Sequence, residues 1–587
     1  MPEPGNNNRK PYAGTARRLL LAFDIGTTFS GISYSILDPG QIPEIRPVTR
    51  YPSQEQVGGD SKIPTVIYYD SSGEPVAIGA ETLREGIETD AEEEGWKIAR
   101  WFKLHLRPRE AINAAEEEPV PPLPLDKSVI EVFTDFMAYL HQCAKAYIQD
   151  THGERLWNSL QGDILYVLTH PNGWGGRQQA SMRRAASLAG LVPNTPAGGA
   201  RVMFVTEGEA SLHFCLSNGL NLEDAGNRGV LIVDAGGGTI DVTAYRRRAD
   251  GSFTENSIPQ CYFHGGAYVT MRAKTWFHNL LDGSRFEPDV ETLTTRFDRG
   301  TKHVFRRVED QHIQFASHRE RDPALGIRSG RLTIPGADIA GFFAPSIDCI
   351  VDCIQRQRVA AHIPIKNVFL VGGFSASQWL VEKVRERIQP LGITVSRPDT
   401  HVNKAVSNGA VSFYLDSLVT SRVSRATYGI EVWHEYDPRD LEHVARGHLV
   451  KVHPATAQPA LYDLFDVILP KNTEVAATKE FRRHFRFSTK HRHELLERTI
   501  PILGYCGASE NPKWINDEPQ MYPPLCRVTA DTSGIHPRTK RTAAGQHYYE
   551  IEYDVVLQFG LTELKAQIAY KINGVERRGP ASVIFAR

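Results

Sequence analysis

The sequence predicts an α/β fold with a duplicated, two-lobed first part followed by a predominantly β C-terminal part. One observation is a repeated segment: Leu19 to Leu37 reads LLLAFDIGTTFSGISYSIL, and Gly229 to Tyr245 reads GVLIVDAGGGTIDVTAY. Each is an apolar run of strand length ending in Asp, a turn rich in Gly and Thr, and a second run with β-branched and aromatic residues, which is the pattern of a hairpin. Their aspartates, Asp24 and Asp234, stand 210 residues apart, so the same unit opens two successive halves of similar size. A second observation is the alternation of strand and helix patterns through both halves. The third is a change of texture near residue 420, after which alternating strands and Pro-, Asn- and Gly-rich turns replace long helical stretches.

Taken in order, residues 1–18 lack an apolar stretch beside their charges, excluding a signal peptide or anchor pattern, and are expected to be a disordered tail. Lobe I is assigned to 19–227. Within it, 63–69 (IPTVIYY) is expected as a strand, 128–150 as a helix, 163–169 (DILYVLT) as a strand, 177–190 as a helix stopped by Gly190, 201–206 as a strand and 209–218 as a helix. Lobe II is assigned to 228–400, with strand 366–374 (KNVFLVGGF) and helix 378–388. Residues 401–420 are expected to be a helix returning to lobe I, and 421–587 the β-rich part, including LYDLFDVIL and HYYEIEYDVVLQFG.

Composition narrows the function classes. The 587 residues carry 67 Lys+Arg and 69 Asp+Glu, a net charge of -2, so a purely electrostatic nucleic-acid binder is not expected. A hydrophobic content of 41% suits globular cores. No run approaches the ~18 apolar residues of a spanning helix. Seven scattered cysteines without a Cys-x-x-Cys pair argue against a disulfide framework or zinc knuckle, and with no Asn-x-Ser/Thr acceptor they point to a reducing, cytoplasmic compartment, the nucleus being an alternative. Cys349 and Cys353 are expected to share a buried helix face. The acidic clusters 86–94 and 115–118 read as solvated loops. The basic-aromatic stretch from Phe481 reads as a half-buried strand with its cations outward, a nucleic-acid surface being the less favoured alternative.

Gly-rich turns joining two strands present unobstructed backbone N–H groups, and Thr hydroxyls add donors suited to phosphate oxygens. Asp24-Ile-Gly26-Thr27-Thr28 and Asp234-Ala-Gly236-Gly237-Gly238-Thr239 share this construction. An Asp ending each strand and facing a common cleft can hold hydrated Mg²⁺, which keeps several waters and takes few protein oxygens. Together they point to a nucleoside triphosphate with Mg²⁺. Neither a P-loop nor a dinucleotide-binding glycine fingerprint is present.

Three ordered segments, Asp24-Ile-Gly-Thr-Thr-Phe-Ser, Val233-Asp-Ala-Gly-Gly-Gly-Thr-Ile-Asp-Val and Leu370-Val-Gly-Gly-Phe-Ser, resemble the two phosphate motifs and the adenosine motif of the heat-shock protein 70 superfamily, whose ATPase domain is actin-like and built on a duplicated ribonuclease-H-like unit. Thr169-His-Pro171, Val205-Thr-Glu207-Gly-Glu-Ala, His264-Gly265-Gly266, Arg397-Pro-Asp399 and Ala405-Val-Ser-Asn-Gly409-Ala add to it over residues 19 to 420, and Trp101-Phe-Lys103-Leu-His-Leu resembles the divergent 12A/12B-type branch and its fungal relatives. The resemblance implies ATP or ADP with Mg²⁺ held through water by Asp24 and Asp234. It implies phosphate contacts from Gly26, Thr27, Thr28, Phe29, Gly236, Gly237, Gly238 and Thr239. It gives the catalytic roles to Lys103, Glu207, Asp234 and Asp241, with Lys103 expected to contact the γ-phosphate and Glu207 to stand beside the attacking water. It implies that Gly265, Gly266, Lys302, Gly372, Gly373, Phe374 and Asp399 complete the nucleotide pocket; Arg299 stands where the family has a Glu three positions before the base-contacting lysine.

Departures follow 421: only 465–475 (FDVILPKNTEV) resembles a strand pair of the family's substrate-binding part, 416–429 does not match its apolar linker, and the final ASVIFAR is not an acidic tail. The resulting expectation is a slow, Mg-dependent ATPase with chaperone-like character whose C-terminal part engages client polypeptides or another protein. The alternatives are a nucleotide-gated binding module with little turnover and, less favoured, a small-molecule kinase of the same fold.

Overall fold

The computed structural model describes residues 9–54, 61–108, 120–217, 229–398, 405–476, 478–559, 563–580 and 582–583. By internal contacts the chain forms two compact units, the second made up mainly of Thr420–Arg587.

The first unit is mixed α/β and carries the hairpin twice. Arg18–Ile25 pairs antiparallel with Phe29–Leu37, and Gly229–Ala235 pairs antiparallel with Ile240–Arg247. In each case the hairpin's first strand is flanked by a parallel strand, Leu165–His170 in one sheet and Ile365–Val371 in the other. A further parallel strand continues each sheet, Val202–Thr206 and Thr394–Ser396 respectively. Leu19 to Phe23 are all fully buried, as are Leu231 to Val233. Strands covered on both faces read as continuous apolar runs, which is why neither hairpin shows a clean alternation in its first strand.

Each sheet has its own core. Phe23, Ile32 and Tyr34 pack with Phe133, Phe136 and Leu140 of the helix Val129–His152. Leu231, Val233 and Val242 pack with Val269, Phe277, Phe343 and Ile350, from the helices Gly266–Leu281 and Gly336–Ala360. The Val129–His152 helix starts at a reciprocal cap: the Ser128 hydroxyl accepts from Glu131 N and the Glu131 carboxylate accepts from Ser128 N, worth about 1 kcal/mol. Helix Ala405–Asp416 packs Val406, Ala410, Val411 and Phe413 against Leu20, Ala22 and Val205 of the first sheet. Gly409 lets the same helix approach the helix Glu207–Ser217, since a Cβ there would lie 1.8 Å from the Ala210 carbonyl oxygen.

Several sequence expectations are altered. Residues 63–69 are two strands, Lys62–Pro64 and Val66–Tyr69, in different sheets. Thr65 breaks the run because its N–H donates to the Thr28 carbonyl and its hydroxyl bonds Ser30. The acidic stretch 86–94 contains a helix, Ile87–Glu93, that buries Ile87 and Ala91, rather than a solvated loop. Residues 9–17 do not behave as a free tail: Arg9 donates to both carboxylate oxygens of Asp416 at 2.9 and 2.8 Å. The cluster 115–118 lies outside the described residues.

The second unit contains two antiparallel sheets that share one core: Ile430, Leu469, Ile502 and Val528 from one, Val555, Leu557, Ala566 and Ile568 from the other. Its strand Glu480–Thr489 buries Phe485 and half-buries Phe481 and Phe487. The arginines beside them are paired: Arg482 with Glu480, Asp554 and Glu576, and Arg483 with Asp466. The two strands within 465–475 do not pair with each other, because Glu474–Ala476 pairs instead with Val419–Val423. All seven cysteines are free; Cys353 is buried and Cys349 partly so, on one face of Gly336–Ala360. Among the described residues no helix is long and apolar enough to cross a membrane.

Candidate functional site

A cleft of about 540 Å³ in the first unit is lined by both hairpin turns. Asp24, Gly26, Thr27, Thr28 and Phe29 come from the first; Asp234, Gly236, Gly237, Gly238 and Thr239 from the second. The turns touch. A Cβ on Gly237 would lie 2.2 Å from Thr28 Oγ1, and one on Gly238 would lie 2.2 Å from Thr27 Oγ1. Glycine is therefore required at both positions by the approach of the opposite turn. The second turn is fastened to the start of helix Gly266–Leu281: the N–H groups of Gly265, Gly266 and Ala267 donate to the carbonyls of Gly238, Gly236 and Gly237.

The two aspartates are buried beside these turns, 2% and 3% exposed. Asp24 accepts from the Thr169 hydroxyl at 2.9 Å through one oxygen and from the Lys62 ammonium at 2.7 Å through the other. Asp234 accepts from the Ser211 hydroxyl at 2.6 Å. Burial, followed by the nearby Glu207 and Asp24 charges, pushes Asp234 up to about 7. Burial would lower Lys62, but the charge and hydrogen bond of Asp24 outweigh it, and the ammonium titrates above its ordinary value.

Lys103 sits in the 3₁₀ turn Phe102–Leu106, entered through Trp101 in the left-handed region at φ 56°. Its ammonium, 3% exposed at the side chain, bonds Glu207 Oε1 at 2.5 Å. Glu207 opens helix Glu207–Ser217, and burial raises its pKa against the opposing pull of Lys103. Across the cleft, Lys302 pairs with Asp298 and donates to Thr270 Oγ1 at 3.1 Å and to the Gly266 carbonyl at 3.4 Å. Gly372, Gly373 and Phe374 complete the lining, with Phe374 stacked on Phe343 at 5.9 Å. Gly372 is obligatory twice over, by its φ of 86° and because a Cβ would meet Asp234 Oδ1 at 2.3 Å.

Most residues singled out from sequence thus meet in one cavity; three do not. Asp241 is fully buried beneath the second turn and does not line it. It accepts from Asn172 N at 2.5 Å, and burial, then Glu207, raises it to about 8. Gly265 serves the turn through its backbone and does not line the cavity. Asp399 lies outside the described residues. Sequence reasoning missed Lys62 and Asp298. A polar residue before the apolar run IPTVIYY was the available signal for Lys62. Asp298 stands one position from Arg299 and four before Lys302, where helical spacing brings it to the ammonium.

The donor set suits a polyphosphate: glycine backbone, the Thr27 and Thr28 hydroxyls and the Lys62 and Lys103 ammonium groups line the same cavity as the two carboxylates. For Mg²⁺ the fit is through water, since both Asp24 oxygens are already engaged and direct coordination there would displace Lys62.

A mixed α/β chain with this cleft is the class that geometry defines, and comparison with known proteins places it further. No protein-family profile matches the chain. Heat shock 70 kDa protein 12A of Mus musculus is 22% identical, over 93% of this chain and 89% of that protein. The Homo sapiens 12A protein has the same identity and coverage, and Homo sapiens heat shock 70 kDa protein 12B is 23% identical over 93% of this chain and 88% of its own length. Over most of its length the chain is thus similar to the 12A and 12B heat shock 70 kDa proteins.

Proposed function

We propose that this protein binds ATP in the cleft of a two-lobed, actin-like domain and hydrolyses it slowly with Mg²⁺. The observation that carries this reading is the contact between the two Gly/Thr turns, each with a buried aspartate at its base. The turns' N–H groups and the hydroxyls of Thr27 and Thr28 would hold the phosphates. Lys103 would offset charge gathering on the transferring phosphoryl group, an effect worth about 10²–10³ in rate for comparable donors. Glu207, its pKa raised, would orient water and accept its proton. Mg²⁺, held through water by Asp24 and Asp234, would neutralise phosphate charge. Gly372, Gly373 and Phe374 suit the nucleoside end, with Lys302 and Asp298 opposite.

The Lys103–Glu207 ion pair favours a second reading, a nucleotide-gated binding module with little turnover, because each group is silenced by the other until nucleotide separates them. Phosphate release from Mg·ATP by the purified chain distinguishes the two: turnover lost in Lys103→Ala supports hydrolysis. Calorimetric binding without turnover supports the module, and absence of binding removes both. The β-rich second unit is proposed as the surface for client polypeptides, and the free cysteines suit a cytoplasmic setting.

A further inference from the structure

Lys62 lies outside every motif of the nucleotide reading and yet stands in the cleft. It begins the strand Lys62–Pro64, which pairs with Phe29–Leu37 through Gly31↔Lys62. Gly31 makes room for its stem: a Cβ there would lie 3.2 Å from Lys62 Cγ. The ammonium is thereby delivered from a rigid sheet edge to 2.7 Å from Asp24 Oδ2. A lysine has three donors, and Asp24 uses one, leaving others for an anion in the cleft.

The charges beside the turns are mostly matched within the protein. Asp24 has Lys62 and Glu207 has Lys103, whereas Asp234 is held by a hydroxyl. A divalent-cation site gains from carboxylate charge in excess of fixed cations, since that excess offsets the ion's dehydration. Here the carboxylate of the first turn already has its cation.

We propose that Lys62 is a resident counter-ion of Asp24 that also contacts the nucleotide's phosphates, so that this cleft binds ATP with only weak dependence on Mg²⁺. The inference rests on the nucleotide reading above and names the residue that sets its metal requirement. Hydrated Mg²⁺ retains a place through Asp234, adding to an affinity that Lys62 already supports.

The test is calorimetric titration of the full chain with ATP, in excess EDTA and in saturating Mg²⁺. Wild type is expected to differ by less than about fivefold between the two conditions. Lys62→Met is expected to lose more than about tenfold in EDTA and to recover most of it with Mg²⁺, the recovery also showing that the variant is folded. Lys62→Arg keeps the charge and is expected to keep the wild-type pattern. Metal-free ATP binding that is unchanged in Lys62→Met, or a wild type that needs Mg²⁺ by more than about a hundredfold, overturns the proposal alone. Failure of wild type to bind ATP in either condition overturns the nucleotide reading, and the proposal with it.

Discussion

In the first hairpin Asp24 faces Gly31 across the ladder and receives an ammonium and a hydroxyl; in the second, Asp234 faces Asp241 and receives one hydroxyl. The backbone is repeated and the electrostatics are not. Gly31 leaves space that Lys62 fills, so the first carboxylate is buried as half of an ion pair. Asp241 brings a second carboxylate into the neighbouring ladder position, and burial raises both Asp234 and Asp241. Duplication of a supersecondary unit preserves where a carboxylate points, while the residues opposite it decide whether it is comfortable when charged.

The largest test of this contrast exchanges each aspartate for its amide. Asp24→Asn leaves Lys62 without its counter-charge and is expected to cost about 3 kcal/mol of stability, because breaking a buried pair strands the partner. Asp234→Asn removes a charge that burial disfavours, and is expected to leave stability unchanged or raised at pH 8. Urea unfolding followed by tryptophan fluorescence reads both, and equal losses would show that the two sites are electrostatically alike.

Next in size are the turns. Gly238→Ala would place its Cβ 2.2 Å from Thr27 Oγ1, and overpacking of this kind costs about 1–3 kcal/mol. The nearest atom to a Cβ on Gly236 is the Thr239 carbonyl oxygen at 3.3 Å, so Gly236→Ala is expected to stay within about 1 kcal/mol. Parallel ATP titrations should rank the variants in the same order, and reversal would mean that the turns separate when nucleotide binds.

Asp241 shares the pH dependence with Asp234 and carries its upper end. Its folded-state value near 8 exceeds its ordinary 3.8, so the native state holds an extra proton across that window and stability falls as pH rises through it. Asp241→Asn can still accept from Asn172 N and is expected to flatten this fall, gaining on the order of 1–2 kcal/mol at pH 9, since relaxation softens the cost of a buried charge. A variant with the wild-type slope between pH 5 and 9 would remove Asp241 as its source. The smallest effect belongs to the exposed pair Arg299–Glu88 at 3.7 Å, where Arg299→Ala should change stability by less than about 0.5 kcal/mol in thermal melts.

Much of the cleft was legible because its chemistry is local. Gly26-Thr27-Thr28 and Gly236-Gly237-Gly238-Thr239 are turns whose composition alone shows an exposed backbone. The helices expected at 128–150 and 378–388 stand at Val129–His152 and Gln378–Ile388, because their apolar spacing is a local signal. Asp241 was misplaced because its position two residues beyond the turn says nothing about which side of the sheet carries the cavity until the sheet is packed. Residues 63–69 looked like one strand because Thr65 is a good strand residue; its departure depends on the Thr28 carbonyl, 37 residues away. Asp298 carries no distinctive local signal, since an acidic residue four positions before a lysine is common on solvated helix faces.

The sequence by itself determined the two hairpins, the turns between their strands and the presence of an aspartate at each. These follow from short-range periodicity and turn chemistry. Only the tertiary structure decided that Lys62 neutralises Asp24, that Lys103 closes on Glu207, that Asp298 serves Lys302 and that Asp241 lies beneath the cleft. Most of these pairings join residues distant in the chain, and electrostatic energy depends on separation and burial, quantities that exist only once the sheets have packed.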